Sequence, residues 1–308
     1  MISLWKGSCN QWDCDEMGHM NVRVYVEKQI EGLATMAHAL KMPQAFRPGA
    51  TSTLIPVDQH IRYMAEVLAG RPISMVGCVL DAGECDAVIY QEMRHTDGRV
   101  AAAFRTRVIH ADNKSGEPFP WSSRSVDALE TLKDTPPEHT APRSVDMSTP
   151  TRDNSDVTYD HLKRHNIPLI GQGSVPPQHM DAHGRMAASW VIGRTSDSVP
   201  NLLYDWRQSM GKAEDGARRV GAAVLEYRMR YRHWPKTGDL FEAYTGGGTV
   251  GGKTHSLVHW MMDPVTGKPW ATSEAVAITL DLDARKVIAA PPSMLDELKV
   301  IAPPGLSV

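Results

Sequence analysis

Between residues 22 and 40 apolar side chains return every three or four positions, at Val22, Val26, Ile30, Leu33, Ala37 and Leu40. That spacing describes one buried face of a helix. Downstream, the runs 53–63, 73–80, 87–94 and 100–110 are predicted strands, the last two joined across Thr96-Asp97-Gly98, a sequence suited to a hairpin turn. One long helix followed by an antiparallel meander predicts an α+β unit, a curved antiparallel sheet wrapped around a central helix.

The same order of residues is written twice. Gly7-Ser8 recurs as Gly173-Ser174, Asp15 as Asp181, Gly18 as Gly184 and Met20 as Met186. Further on, Arg62-Tyr63 recurs as Arg230-Tyr231, Gly70 as Gly238, Gly98 as Gly267 and Asp112 as Asp281. The offset drifts only slightly, as short loop insertions would make it drift. Pro136-Pro137 returns as Pro303-Pro304, each pair after a short helical pattern at 126–134 and 294–301. Two tandem domains are therefore expected at 1–137 and 159–308, the second a degenerate repeat. Between them, 138–158 is rich in Thr, Ser, Pro and Asp without apolar periodicity and reads as a linker. The second helix, 186–206, is interrupted by Gly193, Asp197 and Pro200, so it is expected to be shorter or broken.

Composition narrows the function classes. The 308 residues carry 42% hydrophobic and 22% charged side chains, the balance of an ordinary globular chain with room for two cores. A net charge of -3, without a long basic run, excludes a nucleic-acid footprint. The N-terminus has no apolar signal core and no stretch approaches the ~18 apolar residues of a membrane span, so a cytoplasmic protein is expected. The 16 methionines suit either an adaptable acyl tunnel or ordinary core filling. Cys9, Cys14, Cys78 and Cys85 lack the spacing of a disulfide scaffold and read as free thiols.

The run Gly247-Gly-Thr-Val-Gly-Gly252-Lys253-Thr254 formally matches a phosphate-binding loop. Such a loop must open a helix whose amides hold the phosphates. Here the repeat places it between two strands of a meander, so nucleotide hydrolysis is rejected.

More promising chemistry sits at Asp13-Cys-Asp15-Glu-Met-Gly18-His19-Met-Asn21, just before the first helix. Gly18 allows a tight backbone approach and Asn21 can cap the helix. Helix starts present unpaired N–H groups and partial positive charge, which can stabilise the oxyanion formed when a thioester carbonyl is attacked. A neighbouring carboxylate can attack that carbonyl or draw a proton from water, and the leaving thiolate, with a pKa of roughly 8.5, needs little acid help. Carboxylates also favour helix starts for purely structural reasons, and a single His is commonly structural. Asp13, Asp15 and His19 lack a further ligand at a known metal spacing, and no cofactor is called for.

Trp12-Asp-Cys-Asp15-Glu-Met-Gly18-His19-Met-Asn21, with Tyr25 following, resembles the signature of hot-dog-fold thioesterases related to the 4-hydroxybenzoyl-CoA and acyl-ACP thioesterases. The run His60-Ile-Arg-Tyr63-Met-Ala-Glu66-Val-Leu-Ala-Gly70 resembles the second strand of that family, especially of thioesterases associated with carnitine breakdown. The resemblance covers residues 8–112 well and the second half through its repeat. It implies a tandem double hot dog whose active sites form where two such units pair, and an acyl-CoA substrate. It also implies Asp15 as nucleophile or general base, an oxyanion hole of amides around Gly18 and His19, and a supporting Asp13; Asp13, Gly18, Asn21 and His60 are the expected substrate-binding residues of this first site. His19 matches a catalytic position of the acyl-ACP branch, but Met17 stands where that branch carries Asn.

The second copy, His179-Met-Asp181-Ala-His183-Gly184-Arg185-Met186, keeps the carboxylate and glycine while Arg185 replaces the His and Ala187 the Asn. Arg185 could pair with Asp181 or meet a CoA phosphate. One fully active site at Asp15 is expected, with Asp181 a second candidate and Gly184 and Arg185 as substrate contacts. His60 could face the site from its strand or be a buried structural residue, and Arg62, Arg71 and Arg99 are phosphate candidates by charge alone. Two rivals stay open: a hot-dog enoyl-CoA hydratase or dehydratase, and a non-catalytic acyl-CoA binding protein. A tandem chain carries its own pairing surface and leaves homo-oligomerisation open.

Overall fold

The computed structural model describes residues 1–210, 220–251, 253–281, 284, 286–290 and 292–308. The chain forms two compact units. One comprises Met1–Pro142 and Pro177–Ile192, the other Arg143–Pro176 and Gly193–Val308.

In the first unit, β1 (Ile2–Ser8), β2 (Ser52–Tyr63), β3 (Pro72–Ala82), β4 (Asp86–His95) and β5 (Val100–Asp112) form an antiparallel sheet in the order β1-β3-β4-β5-β2. The four strands read from the apolar pattern are all present. β1 is the addition: it buries only Leu4, so its alternation leaves too faint a signal to read.

Helix α1 (Val22–Ala39) lies against β1 and β3. Val26, Leu33, Ala37 and Leu40 are fully buried as the spacing predicts, whereas Val22 and Ile30 are only partly covered. The buried face is turned toward Gln29 and Gly32. Gln29 is tolerated there because its amide donates to Gln91 Oε1 on β4 while its carbonyl accepts from Gln59 on β2, which also donates to Thr106 Oγ1 on β5. Each buried polar group has its partner, which removes the penalty that would otherwise keep Gln outside. Gly32 permits the close approach: a Cβ there would meet Gln91 Nε2 and Met75 Sδ, each at 2.7 Å.

The second unit repeats this connectivity. Its strands β6 (Leu169–Ser174), β7 (Val220–Tyr231), β8 (Leu240–Val250), β9 (Thr254–Met262) and β10 (Pro269–Asp281) run in the order β6-β8-β9-β10-β7, with β11 (Lys286–Ile288) added on β10. β8 and β9 flank the phosphate-loop lookalike. The segment after Lys253 is therefore a strand with no helix dipole to offer; Gly252 itself lies outside the described residues.

The short helices are α2 (Ser123–Thr131), α3 (Tyr159–Arg164) and α5 (Pro292–Ile301). α2 starts earlier than the 126–134 pattern because Ser122 caps it, accepting from Ser125 N. The expectation of a short or broken second helix is corrected. Helix α4 (Ala188–Met210) continues through Gly193, Asp197 and Pro200 for 23 residues. Burial of Val191, Ile192 and Leu203, and the Asn201 amide donating to Ile170 O, outweigh the hydrogen bond that proline removes. Among the described residues no helix is long and apolar enough to cross a membrane.

The stretch expected as a linker is strapped to both units by arginines. In the first, Arg62 donates to Ala141 O and Arg105 to Thr140 O. In the second, Arg228 donates to Thr149 O and Arg232 to Arg152 O, and Glu226 accepts from the Arg143 and Ser144 amides. Arg62, a candidate for phosphate binding by charge, is thus occupied with a backbone carbonyl.

Candidate active site

The motif folds as a tight hairpin in front of α1. Gln11–Asp13 make one 3-10 turn, anchored by the Asn10 amide donating to Asp13 Oδ2 at 2.8 Å. Asp13 also accepts from Asn21 N through its carbonyl, so it is a structural brace for the motif. Cys14 and Met20 then pair across the hairpin base, and Asp15 N donates to His19 O at 2.8 Å. Gly18 takes φ of 80°, the left-handed region that such a turn requires and that favours glycine.

Within this turn Asp15 Oδ1 accepts from Met17 N at 2.9 Å and from His19 N at 3.1 Å. Gly18 N donates to Asp15 O. The expectation that amides around Gly18 and His19 form an oxyanion hole is therefore corrected: both are spent closing the hairpin. What the turn achieves instead is a half-buried carboxylate held by one oxygen, with Oδ2 left outside the turn's own hydrogen bonds.

Asn21 is the N-cap of α1, its side chain accepting from Arg23 N at 2.9 Å. Replacing Asn21 with Ala is expected to destabilise the protein by about 1 kcal/mol, and Asn21→Ser to recover most of it. Denaturant midpoints of the three proteins check this, and equal midpoints would deny the cap a role.

Two neighbours complete the site. His19 Nε2 lies 3.4 Å from Glu66 Oε1, on the segment after β2 that pairs with His19-Met20 through Leu68 and Val67. Glu66 was visible in the sequence only as part of a strand motif, because nothing local reveals that the segment after β2 folds back onto the hairpin. Tyr25 is buried one turn into α1, its ring edge-on to Tyr63 with centroids 5.1 Å apart. Burial pushes the Tyr25 phenol above its ordinary range; a hydrogen bond from the Val67 backbone opposes this, and the charges of Glu66 and Asp15 add to it. Tyr25 is thus a neutral wall. His60 is fully buried on β2, and as the neighbour of Gln59 it points to the sheet face away from α1. Arg99 is paired with Asp97 on an exposed turn and Arg71 is exposed at the start of β3.

The second motif belongs to the same compact unit and repeats the turn bond for bond. Asp181 N donates to Arg185 O, Gly184 N to Asp181 O, and His183 N and Arg185 N both to Asp181 Oδ1. Met180 and Met186 pair as Cys14 and Met20 do, and Gly184 takes φ of 74°. The side chains differ. Arg185 Nε lies 3.4 Å from Asp181 Oδ2, so the oxygen that is open in the first turn is ion-paired in the second. His183 Nε2 donates to Ala45 O at 2.8 Å, Trp190 stacks on His179, and the Arg23 guanidinium lies over the Trp190 ring. Among the described residues no group of three or more His, Cys, Asp or Glu is gathered as a metal site.

The sequence pattern of the thioesterase-like superfamily matches residues 9–129 and 175–298, each segment opening a few residues before one of these turns. The chain belongs to the thioesterase-like superfamily. No curated protein matches it significantly. Among solved structures, this superfamily member is similar to an acyl-ACP thioesterase from Bacteroides thetaiotaomicron. That likeness has a TM-score of 0.63 at 12% identity, covering 89% of this chain and 96% of that one. It is also similar to the 12:0-ACP thioesterase from Umbellularia californica, with a TM-score of 0.65 at 8% identity over 89% and 93% of the two chains. At such identities the likeness speaks for the fold, a thioesterase hot-dog-like one of large antiparallel sheets and few helices.

Proposed function

We propose that this superfamily member is an acyl-CoA thioesterase that hydrolyses its substrate to a free acid and CoA at the Asp15 turn. In this reading the chain is a tandem of two hot-dog domains, about 1–137 and 159–308, each a sheet wrapped around a central helix. The observation that carries the assignment is the contrast between two equal turns. Asp15 offers Oδ2 with no turn partner, whereas Asp181 Oδ2 faces Arg185.

Asp15 acts on the thioester carbonyl carbon directly or through a water that it deprotonates. Its orientation is set beforehand by the Met17 and His19 amides, so no bond need be rearranged when the substrate arrives. With those amides occupied, the developing oxyanion is stabilised by the positive end of α1 and the His19 imidazole, which Glu66 orients. CoA then leaves as a thiolate that needs little acid assistance.

A panel of acyl-CoA esters incubated with the protein and a thiol-reactive dye tests this. Free CoA should accumulate with at least one of them. Hydration of an enoyl-CoA without thiol release, or binding without any turnover, would replace the thioesterase reading by one of its rivals.

A further inference from the structure

Two cysteines bracket the 3-10 turn that precedes Asp15: Cys14 is its C-cap and Cys9 stands just before its N-cap, Asn10. Cys9 Sγ lies 3.7 Å from Cys14 Sγ, and both thiols are directed at the Asn10 carbonyl. Cys78 and Cys85, the other two thiols, are not in this cluster. Cys9 is buried at the end of β1, while Cys14 is half-buried and leads straight into Asp15.

We infer that Cys9 and Cys14 are a reversible disulfide site that couples the oxidation state of the protein to the position of Asp15. The functional half of this inference rests on the thioesterase reading; the chemical half does not. The offset that carries Asp15 onto Asp181 carries Cys9 onto Val175 and Cys14 onto Met180, so the device belongs to the first turn and is missing from the second.

The oxidant is a peroxide. Cys14, the more accessible thiol, loses its proton and attacks the O–O bond, giving a sulfenic acid and water. Cys9 sulfur then attacks Cys14 sulfur, the S–O bond breaks, and the departing hydroxide leaves as water with the Cys9 proton. Two thiols are oxidised by two electrons and one peroxide is reduced to two waters. Burial, aided by the hydrogen bond shared with Cys14, pushes the Cys9 thiol up to about 12, which assigns it the resolving role.

A disulfide needs its sulfurs at ~2.05 Å, so closure from 3.7 Å shortens their separation by more than an ångström, a change divided between side-chain rotation and backbone movement at Cys9 and Cys14. Cys14 is one arm of the hairpin base and is covalently joined to Asp15, so the backbone share of that movement is passed to the carboxylate. A displacement near 1 Å costs a preorganised site on the order of a hundredfold.

Full-length protein is treated with hydrogen peroxide, mapped by mass spectrometry of its peptides, and assayed for CoA release before and after dithiothreitol. The expected result is a Cys9–Cys14 cross-link, a loss of hydrolysis of about tenfold or more, and recovery on reduction. Cys9→Ser and Cys14→Ser each lose the cross-link and the reversible inactivation, while Cys85→Ser keeps both. Treated wild-type protein without the cross-link overturns the site, and a cross-link formed with unchanged hydrolysis overturns the coupling to Asp15. The mass readout needs no activity, so failure of the thioesterase reading shows separately, as reduced protein that releases no CoA.

Discussion

Asp15→Asn should lower the rate of thioester hydrolysis by roughly a hundredfold or more while leaving the fold intact. The substitution is informative because Asp15 has two duties that the structure separates. Oδ1 accepts from Met17 N and His19 N and so closes the turn, a task that the carbonyl oxygen of an amide performs as well. Attack or proton abstraction needs the negative charge, which Asn lacks. Thermal midpoints of Asp15→Asn and the wild type should therefore agree within about 2 °C. Asp15→Ala removes both duties, and should lose activity together with about 1–3 kcal/mol of stability from the two orphaned amides. Equal losses of stability in both variants would mean that the carboxylate's role is structural.

The largest stability effect is expected at Trp260. It is completely buried in the second unit among Val157, Leu162, Ile167, Val258, Met262 and Leu306. Its indole donates to Ser307 O at 2.9 Å, tying the C-terminal segment onto β9. Trp260→Ala deletes that hydrogen bond and opens a cavity in the cluster, for a cost of about 3–5 kcal/mol. Trp260→Phe keeps most of the volume and loses chiefly the hydrogen bond, about 1 kcal/mol plus any repacking. Denaturant unfolding followed by tryptophan fluorescence and by circular dichroism measures both. An alanine variant as stable as the phenylalanine one would contradict the packing described.

What could be read from the chain and what could not divide along physical lines. The β2–β5 meander and α1 were legible because their apolar residues repeat with periods set by local geometry, and Thr96-Asp97-Gly98 announced its turn. The duplication was legible because the residues that recur, such as Gly18 and Gly184, occupy backbone positions that favour glycine. α4 was misjudged because a proline counts against a helix locally, whereas the burial that compensates Pro200 comes from partners distant in sequence. The inward Gln29 was missed for the same reason: Gln59 and Gln91, which satisfy it, are far along the chain.

At the site, the motif, its carboxylates and the Asn21 cap were all visible as residue types. The use of the Gly18 and His19 amides was not, because Asp15 can bind them only when the chain reverses at Met17-Gly18 rather than running directly into the helix. Glu66 beside His19 was equally hidden, since their proximity is made by the return of the segment after β2. The Arg185–Asp181 pair was one of two readings that charge allowed, a CoA phosphate contact being the other, and its presence gives the asymmetry between the turns a structural basis.

That asymmetry is tested most directly by single-turnover CoA release from Asp15→Asn and Asp181→Asn, measured side by side on the same acyl-CoA. With Asp15 as the working carboxylate, the rate should fall roughly a hundredfold or more for Asp15→Asn and less than about threefold for Asp181→Asn. Equal losses, or a greater loss at Asp181, would contradict it.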